Sequence, residues 1–234
     1  MIGHTFKTNE GYIIKIISYL NNKNVTVVFD NGYIVKSRLY DIKKGNIKNP
    51  FHITTYGVGY IGIGGKADSK SYDVWRRMIE RCYSKNGRNP TYKDCIVCKE
   101  WHNYSFFNSW FKENNILGFQ LDKDILIKGN KIYSPETCCF VPQEINKLFI
   151  KREAKRGLYP IGVNLHKTTK KYVSQINING NSKHLGLFNT VNEAFLRYKL
   201  EKEIIIKTLA NEYKSVITQE CYNALIKYEV NFCD

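Results

Sequence analysis

Acidic residues are scarce in this chain. Its 234 residues hold 21 Asp and Glu against 36 Lys and Arg, a net charge of +15. Such an excess favours a polyanionic partner, because each cation placed near a phosphate releases condensed counterions. It is not gathered in one tail, since about +5 falls in residues 1–60, about +4 in 61–150 and about +6 in 151–234. Long apolar runs are missing too: none approaches the ~18 residues of a membrane span. No apolar stretch of a secretory signal follows the first methionine, which predicts a cytoplasmic, intracellular chain, no membrane partner, and seven cysteines kept as thiols or metal ligands. Walker loops, HExxH and dinucleotide fingerprints are absent, which removes the common nucleotide-dependent and zinc-protease classes. What is present, 43% hydrophobic and 24% charged residues, is enough for packed cores.

The pattern along the chain predicts an α+β protein of three segments. Residues 1–56 alternate β-branched and aromatic residues in Gly11–Ile17 and Val25–Phe29, then turn at Asp30-Asn31-Gly32 into Tyr33-Ile34-Val35. A small SH3-like β-barrel is expected there, as adaptor or nucleic-acid accessory. Gly57–Gly65 reads as a flexible joint. Its Tyr60-Ile61-Gly62 matches half of the GIY-YIG signature, but no first tripeptide stands about ten residues away.

Residues 57–150 hold a helix with Trp75, Met78, Ile79 and Cys82 on one face and a second over Trp101–Lys112. A ββα pattern follows: a strand over Leu121–Ile127, a turn at Lys128-Gly129-Asn130, a return strand Cys139-Phe140-Val141 and a helix beginning at Pro142. Residues 151–234 start with the basic connector Lys151–Arg156. They continue as strands over Pro160–His166, Tyr172–Ile178 and Lys183–Phe188, a hairpin turn at Asn179-Gly180-Asn181, a long helix opened by a Thr190/Glu193 capping box, and a helix over about 218–229.

Period-2 alternation assigns the faces of that last sheet. Val163, Leu165, Tyr172, Ser174, Ile176 and Ile178 form the platform for the long helix. The opposite face carries Asn164, His166, Lys171, Gln175, Asn177 and His184, and no Asp or Glu occurs from Gly157 to Thr190. Amides pair bidentately with adenine and a β-ribbon fits the major groove, so this face is expected to read double-stranded DNA. The quoted residues Ile161-Gly162-Val163, Tyr172-Val173-Ser174-Gln175-Ile176, His184-Leu185-Gly186-Leu187-Phe188-Asn189-Thr190 and Glu193-Ala194 resemble the apetala-type (ethylene-response-factor) DNA-binding domain. That resemblance implies major-groove contact through Asn164, His166, Gln175, Asn177 and His184. Most of the arginines and tryptophans that the family places on this face are absent, so its sequence preference does not carry over.

The middle segment is similar to the HNH nucleases found beside apetala-type domains in phage and mobile-element endonucleases. The similarity rests on Leu121-Asp122-Lys123-Asp124, Tyr133-Ser134-Pro135-Glu136, Cys138-Cys139-Phe140-Val141 and Asn146. It implies a divalent metal, Mg or Mn, held by Asp122 and Asn146. The family's general-base histidine is replaced by Lys123, with Asp124 and Tyr133 as substitutes and His102 as a further approach. Separately, Cys95-Ile96-Val97-Cys98 has ligand spacing, and Cys82 with Cys138 or Cys139 completes a candidate structural zinc set. Two functions follow: a metal-dependent homing-type DNA endonuclease, or a DNA-binding protein without cleavage, such as a phage regulator or counter-defence protein, whose ββα unit grips DNA through Lys123, Lys128 and Lys131.

Overall fold

In a computed structural model, which describes residues 1–64, 69–86, 89–150, 158–178 and 180–234, the chain is α+β and packs as two units. The first comprises residues 1–93 and 99–109, the second 94–98 and 110–234. The connector Lys151–Arg156 and Asn179 of the hairpin turn lie outside the described residues.

Alternation in the first forty residues gives β1 (Thr5–Lys7), β2 (Ile13–Asn21), β3 (Asn24–Phe29) and β4 (Ile34–Ser37), an antiparallel meander in that order, followed by the short helix α1 (Leu39–Lys43). Inward residues Ile14, Ile16, Val25, Val27 and Phe29 pack with Leu39, Ile42 and Ile47. No pairing of β1 with β4 occurs among the described residues, so the sheet is open and the expected closed barrel is not found.

Gly65 of the expected joint lies outside the described residues, and the joint is tied in by backbone contacts as far as Gly62. Thr55 and Gly59 form a bridge, Tyr60 pairs with Asn103, and Gly62 donates its N–H to Pro50 O at 2.9 Å. A side chain at Gly59 would meet the Trp75 ring at 2.9 Å, so glycine here allows a close approach. The 3.6-residue periodicity gives α2 (Ser69–Tyr83) and, after a 3-10 turn at Lys99–His102, α3 (Tyr104–Asn114). Trp75 Nε1 donates to Trp101 O at 2.6 Å, which satisfies an indole buried completely beside Met78 and Ile79.

In the second unit, β5 (Ile96–Val97) runs parallel to β7 (Ile132–Tyr133), and β6 (Gln120–Asp122) is antiparallel to β8 (Cys139–Val141), which leads into α4 (Gln143–Phe149). β6 ends at Asp122, five residues short of the strand expected to Ile127. The Asp122 carboxylate accepts from the N–H of Asp124 at 2.7 Å and of Ile125 at 2.9 Å, and this local turn competes with strand pairing.

The C-terminal part is a three-stranded antiparallel sheet, ordered β11 (Asn181–Phe188), β10 (Tyr172–Ile178), β9 (Val163–Leu165), under the long helix α5 (Val191–Glu212). The capping box forms in full: Thr190 Oγ1 accepts from Glu193 N, and Glu193 Oε2 accepts from Thr190 N. The first half of α5 packs Ala194, Phe195 and Tyr198 on Val163 and Ile176. Its second half packs Ile206 and Ala210 on Ile125, Cys139, Val141 and Ile145, with Cys221 and Leu225 of α6 (Gln219–Ile226). One helix is therefore the spine of both the three-stranded sheet and the ββα layers. Gly162 has φ +79, and any side chain there would collide with the Tyr198 ring, so glycine sets how closely β9 approaches α5.

Candidate nucleic-acid interface

The exposed face of the three-stranded sheet is built by register. Ile176 is 4% exposed and Ser174 is fully buried, whereas their neighbours Gln175 and Asn177 are exposed. Cross-strand partners share a face, so three rows can be placed on the outer surface. Val173 lies between Asn164 and Leu187, Gln175 opposes His184, and Asn177 opposes Ser182. Adjacent strands are ~4.8 Å apart, so three strands span roughly 10 Å, which matches a major groove ~12 Å wide and exceeds a minor groove of ~6 Å.

His184 and Leu187 are three apart yet both face outward, which strict alternation forbids. The register shifts between Ser174 and Gln175, and Leu185 is the unpaired extra residue opposite them. Leu187 was therefore missed in the sequence-based face. The available signal was Gly186 within the strand, whose φ of 139 marks the irregularity. Lys183, one step along, is carried to the inner side, where its ammonium lies 2.7 Å from Glu201 of α5.

The predicted DNA-contacting residues are not equally available. Asn164, Gln175 and His184 are exposed. Asn177 is exposed too, but its Oδ1 accepts the N–H of Gly180 at 3.1 Å. That leaves its Nδ2 for a base edge and breaks the bidentate adenine geometry. His166 follows β9; its Nδ1 accepts from Thr169 N at 3.3 Å and lies 2.9 Å from Thr169 Oγ1, which holds the ring through its Nδ1 edge. The turn it braces carries Lys167, Lys170 and Lys171, all exposed, with Lys170 at φ 57. The outer face thus has a cationic end at this turn and an amide and imidazole surface beyond it.

Two lysines of the ββα unit have their ammonium groups engaged within the chain. Lys123 is 6% exposed, and its Nζ donates to Asp124 Oδ1 at 2.8 Å, Asp124 Oδ2 at 2.9 Å and Asn130 O at 2.8 Å, 5.9 Å from the centre of the buried Tyr133 ring. Asn130 ties the loop by donating to Lys123 O and Ile132 O. Lys128 lies 2.7 Å from Asp234, donates to Glu229 O and sits over the Tyr228 ring. Of the three lysines expected to grip DNA, Lys123 is buried, Lys128 is exposed with its ammonium engaged by Asp234 and Glu229 O, and Lys131 is exposed.

Asp122 and Asn146, the expected metal ligands, stand on β6 and α4. Asn146 Nδ2 donates to Gln120 Oε1 at 2.7 Å, and Gln120 shares the β6 face of Asp122 two residues on. Burial pushes the Asp122 carboxyl above its ordinary range, against the two backbone N–H bonds that favour its ionised form. A magnesium ion here would need one Asp122 oxygen and the Asn146 carbonyl oxygen, with water and phosphate completing its shell. Such an ion would neutralise charge on a phosphodiester. Among the described residues, no three His, Cys, Asp or Glu side chains gather as a metal site.

Of the cysteines, Cys95, Cys98 and Cys138 belong to the second unit and Cys82 to the first. Cys138 is buried beside Thr137, and that burial pushes its thiol up to about 12, which disfavours a thiolate without a metal. In the first unit, His102 Nε2 lies 3.2 Å from Tyr83 Oη. No helix among the described residues is long and apolar enough to cross a membrane. Neither a family model, nor a curated protein, nor a solved structure matches the chain.

Proposed function

We propose that this chain is a DNA-binding protein that reads duplex DNA in the major groove through the outer face of the β9–β10–β11 sheet, and that its ββα unit holds the fold rather than cutting the strand. The observation that carries the reading is the contrast along β10, where exposed Gln175 and Asn177 alternate with buried Ser174 and Ile176 on a segment without acids. A merely solvated face mixes acids with bases; this one offers amides, imidazoles and a lysine turn to an anion with a base-edge code.

The absence of cleavage rests on Lys123, Asp124 and Tyr133. A general base must have a lone pair within reach of the attacking water. The Lys123 ammonium is enclosed by the Asp124 carboxylate and the Asn130 carbonyl, and Tyr133 is buried beside it, while Asp124 is held in the pair with its side chain 43% exposed. Lys123 and Tyr133 are therefore poor proton acceptors, and the half-exposed Asp124 is the candidate that the nicking assay below tests.

Two measurements test this reading. Affinity for a duplex should fall with a log–log salt slope of about −4 or steeper, as expected for five or more phosphate contacts. Supercoiled plasmid incubated with Mg²⁺ or Mn²⁺ should stay supercoiled. A flat salt response removes the DNA reading, and metal-dependent nicking that Asp122→Ala abolishes restores the endonuclease.

A further inference from the structure

The outer face of the sheet has one apolar row. Val173 and Leu187 are cross-strand partners on β10 and β11, Leu187 is 45% exposed, and neither belongs to the core beneath α5. Their neighbours in sequence do: Tyr172 and Phe188 turn inward to that core. Scattered exposed leucines are ordinary, but this one is placed by a bulge. Without the extra residue Leu185, a strand that turns His184 outward would turn Leu187 under the helix.

The row also has a fixed setting. Asn164 flanks Val173 on β9, Gln175 and His184 form the next row, and the Lys167–Lys171 turn joins β9 and β10 beside it. Along β10, Val173 to Asn177 is four residues, or roughly 13 Å, close to four base-pair steps of ~3.4 Å. A sheet laid in the major groove would therefore bring an apolar patch to one or two base pairs while Gln175 reaches the next. In that groove the apolar group that a base edge offers is the 5-methyl of thymine.

The geometry points to Val173 and Leu187 as a thymine-methyl reader, which makes the preferred ligand a duplex with thymine one to two steps from the adenine met by Gln175. This rests on the major-groove reading proposed above. Burying one methyl is worth about 0.8 kcal/mol, a three- to fivefold change in affinity.

The test compares a 30-base-pair alternating adenine–thymine duplex with the same duplex carrying uracil for thymine, by fluorescence anisotropy at one low salt concentration. Wild-type protein should bind the thymine duplex at least threefold more tightly. Leu187→Asn, an exposed position whose replacement spares the core, should bind the two duplexes alike, and Val173→Thr should narrow the ratio. As a control for duplex stiffness, methylating cytosine at carbon 5 in an alternating guanine–cytosine duplex should tighten wild-type binding and leave Leu187→Asn unaffected. Equal binding of the thymine and uracil duplexes by wild type overturns the methyl reader and leaves DNA binding standing. A preference that persists in Leu187→Asn also overturns it, because the methyl then acts through duplex shape. Binding of neither duplex overturns both readings.

Discussion

Lys123 and Asp124 are neighbours in sequence that close on each other, the ammonium of the first lying 2.8 and 2.9 Å from the two carboxylate oxygens of the second. The lysine also donates to Asn130 O across the turn, so one side chain holds the strand end, the turn and the Tyr133 ring together. Lys123→Met should therefore lower unfolding free energy by about 2 kcal/mol, the scale of charged hydrogen bonds lost from a buried group. The salt slope of DNA binding should not change, because the ammonium does not reach a phosphate. Urea denaturation and anisotropy titrations in parallel decide it; a slope shallower by about one would place Lys123 at the DNA.

Gln175, Asn177 and Lys171 should respond differently to truncation. Gln175 keeps both amide ends for a base, and Gln175→Ala should cost about 1–3 kcal/mol on a preferred site and flatten its preference. Asn177 has its oxygen on Gly180 N, so Asn177→Ala should cost less at the base and also loosen the hairpin. Lys171→Ala should weaken all duplexes alike and reduce the salt slope by about one. Selection on a randomised duplex pool separates these outcomes, and a larger loss of preference at Asn177 than at Gln175 would contradict the assignment.

Much of this face was legible in the sequence because period-2 alternation from Tyr172 to Ile178 and the Thr190/Glu193 box are local signals. Residues whose position depends on a third element were not. The bulge at Leu185 reversed the parity of Leu187. The turn at Asp122 cut short a strand that its apolar content suggested. The second half of α5 buries Ile206 and Ala210 because the ββα layers approach it from another side than the sheet does. Engagement is the least legible property of all: nothing in the order of residues shows that Lys123 and Lys128 spend their charge internally, while the lysines of the 166–171 turn meet no acidic partner among the described residues.

Acid should loosen the contact between β11 and α5. The Lys183 ammonium, with Arg197 adding to it, holds the Glu201 carboxyl below its ordinary range. A carboxyl depressed on folding contributes stability that is complete above the unfolded value near 4.5 and lost as pH falls through the lower folded value. Lys183 is 56% exposed, so the pair is worth about 0.5 kcal/mol or less. Melting temperatures of wild type and Lys183→Gln should differ slightly at pH 7 and converge below pH 4. A difference that grows on acidification would show that the pair is not what the substitution removes.

Ser174 and Ile176 share the inner face of β10, and their truncation should act in opposite directions. Ile176 packs against Phe195 and Tyr198 at 4% exposure, so Ile176→Ala removes buried apolar contacts and leaves a cavity, at about 2–4 kcal/mol. Ser174 is fully buried between Val163 and Gly186, and its hydroxyl meets no hydrogen-bond partner among the described residues. An unsatisfied buried hydroxyl costs about 1–3 kcal/mol, so Ser174→Ala should raise stability by about 1 kcal/mol once the small loss of packing is counted. Neither substitution should alter base preference, since both side chains lie beneath the surface that carries Gln175. Guanidinium denaturation measures the first pair of effects and the selected DNA site the second. If Ser174→Ala changes the site while Gln175→Ala only destabilises, the strand is turned the other way and its reading face is the one now assigned to the core.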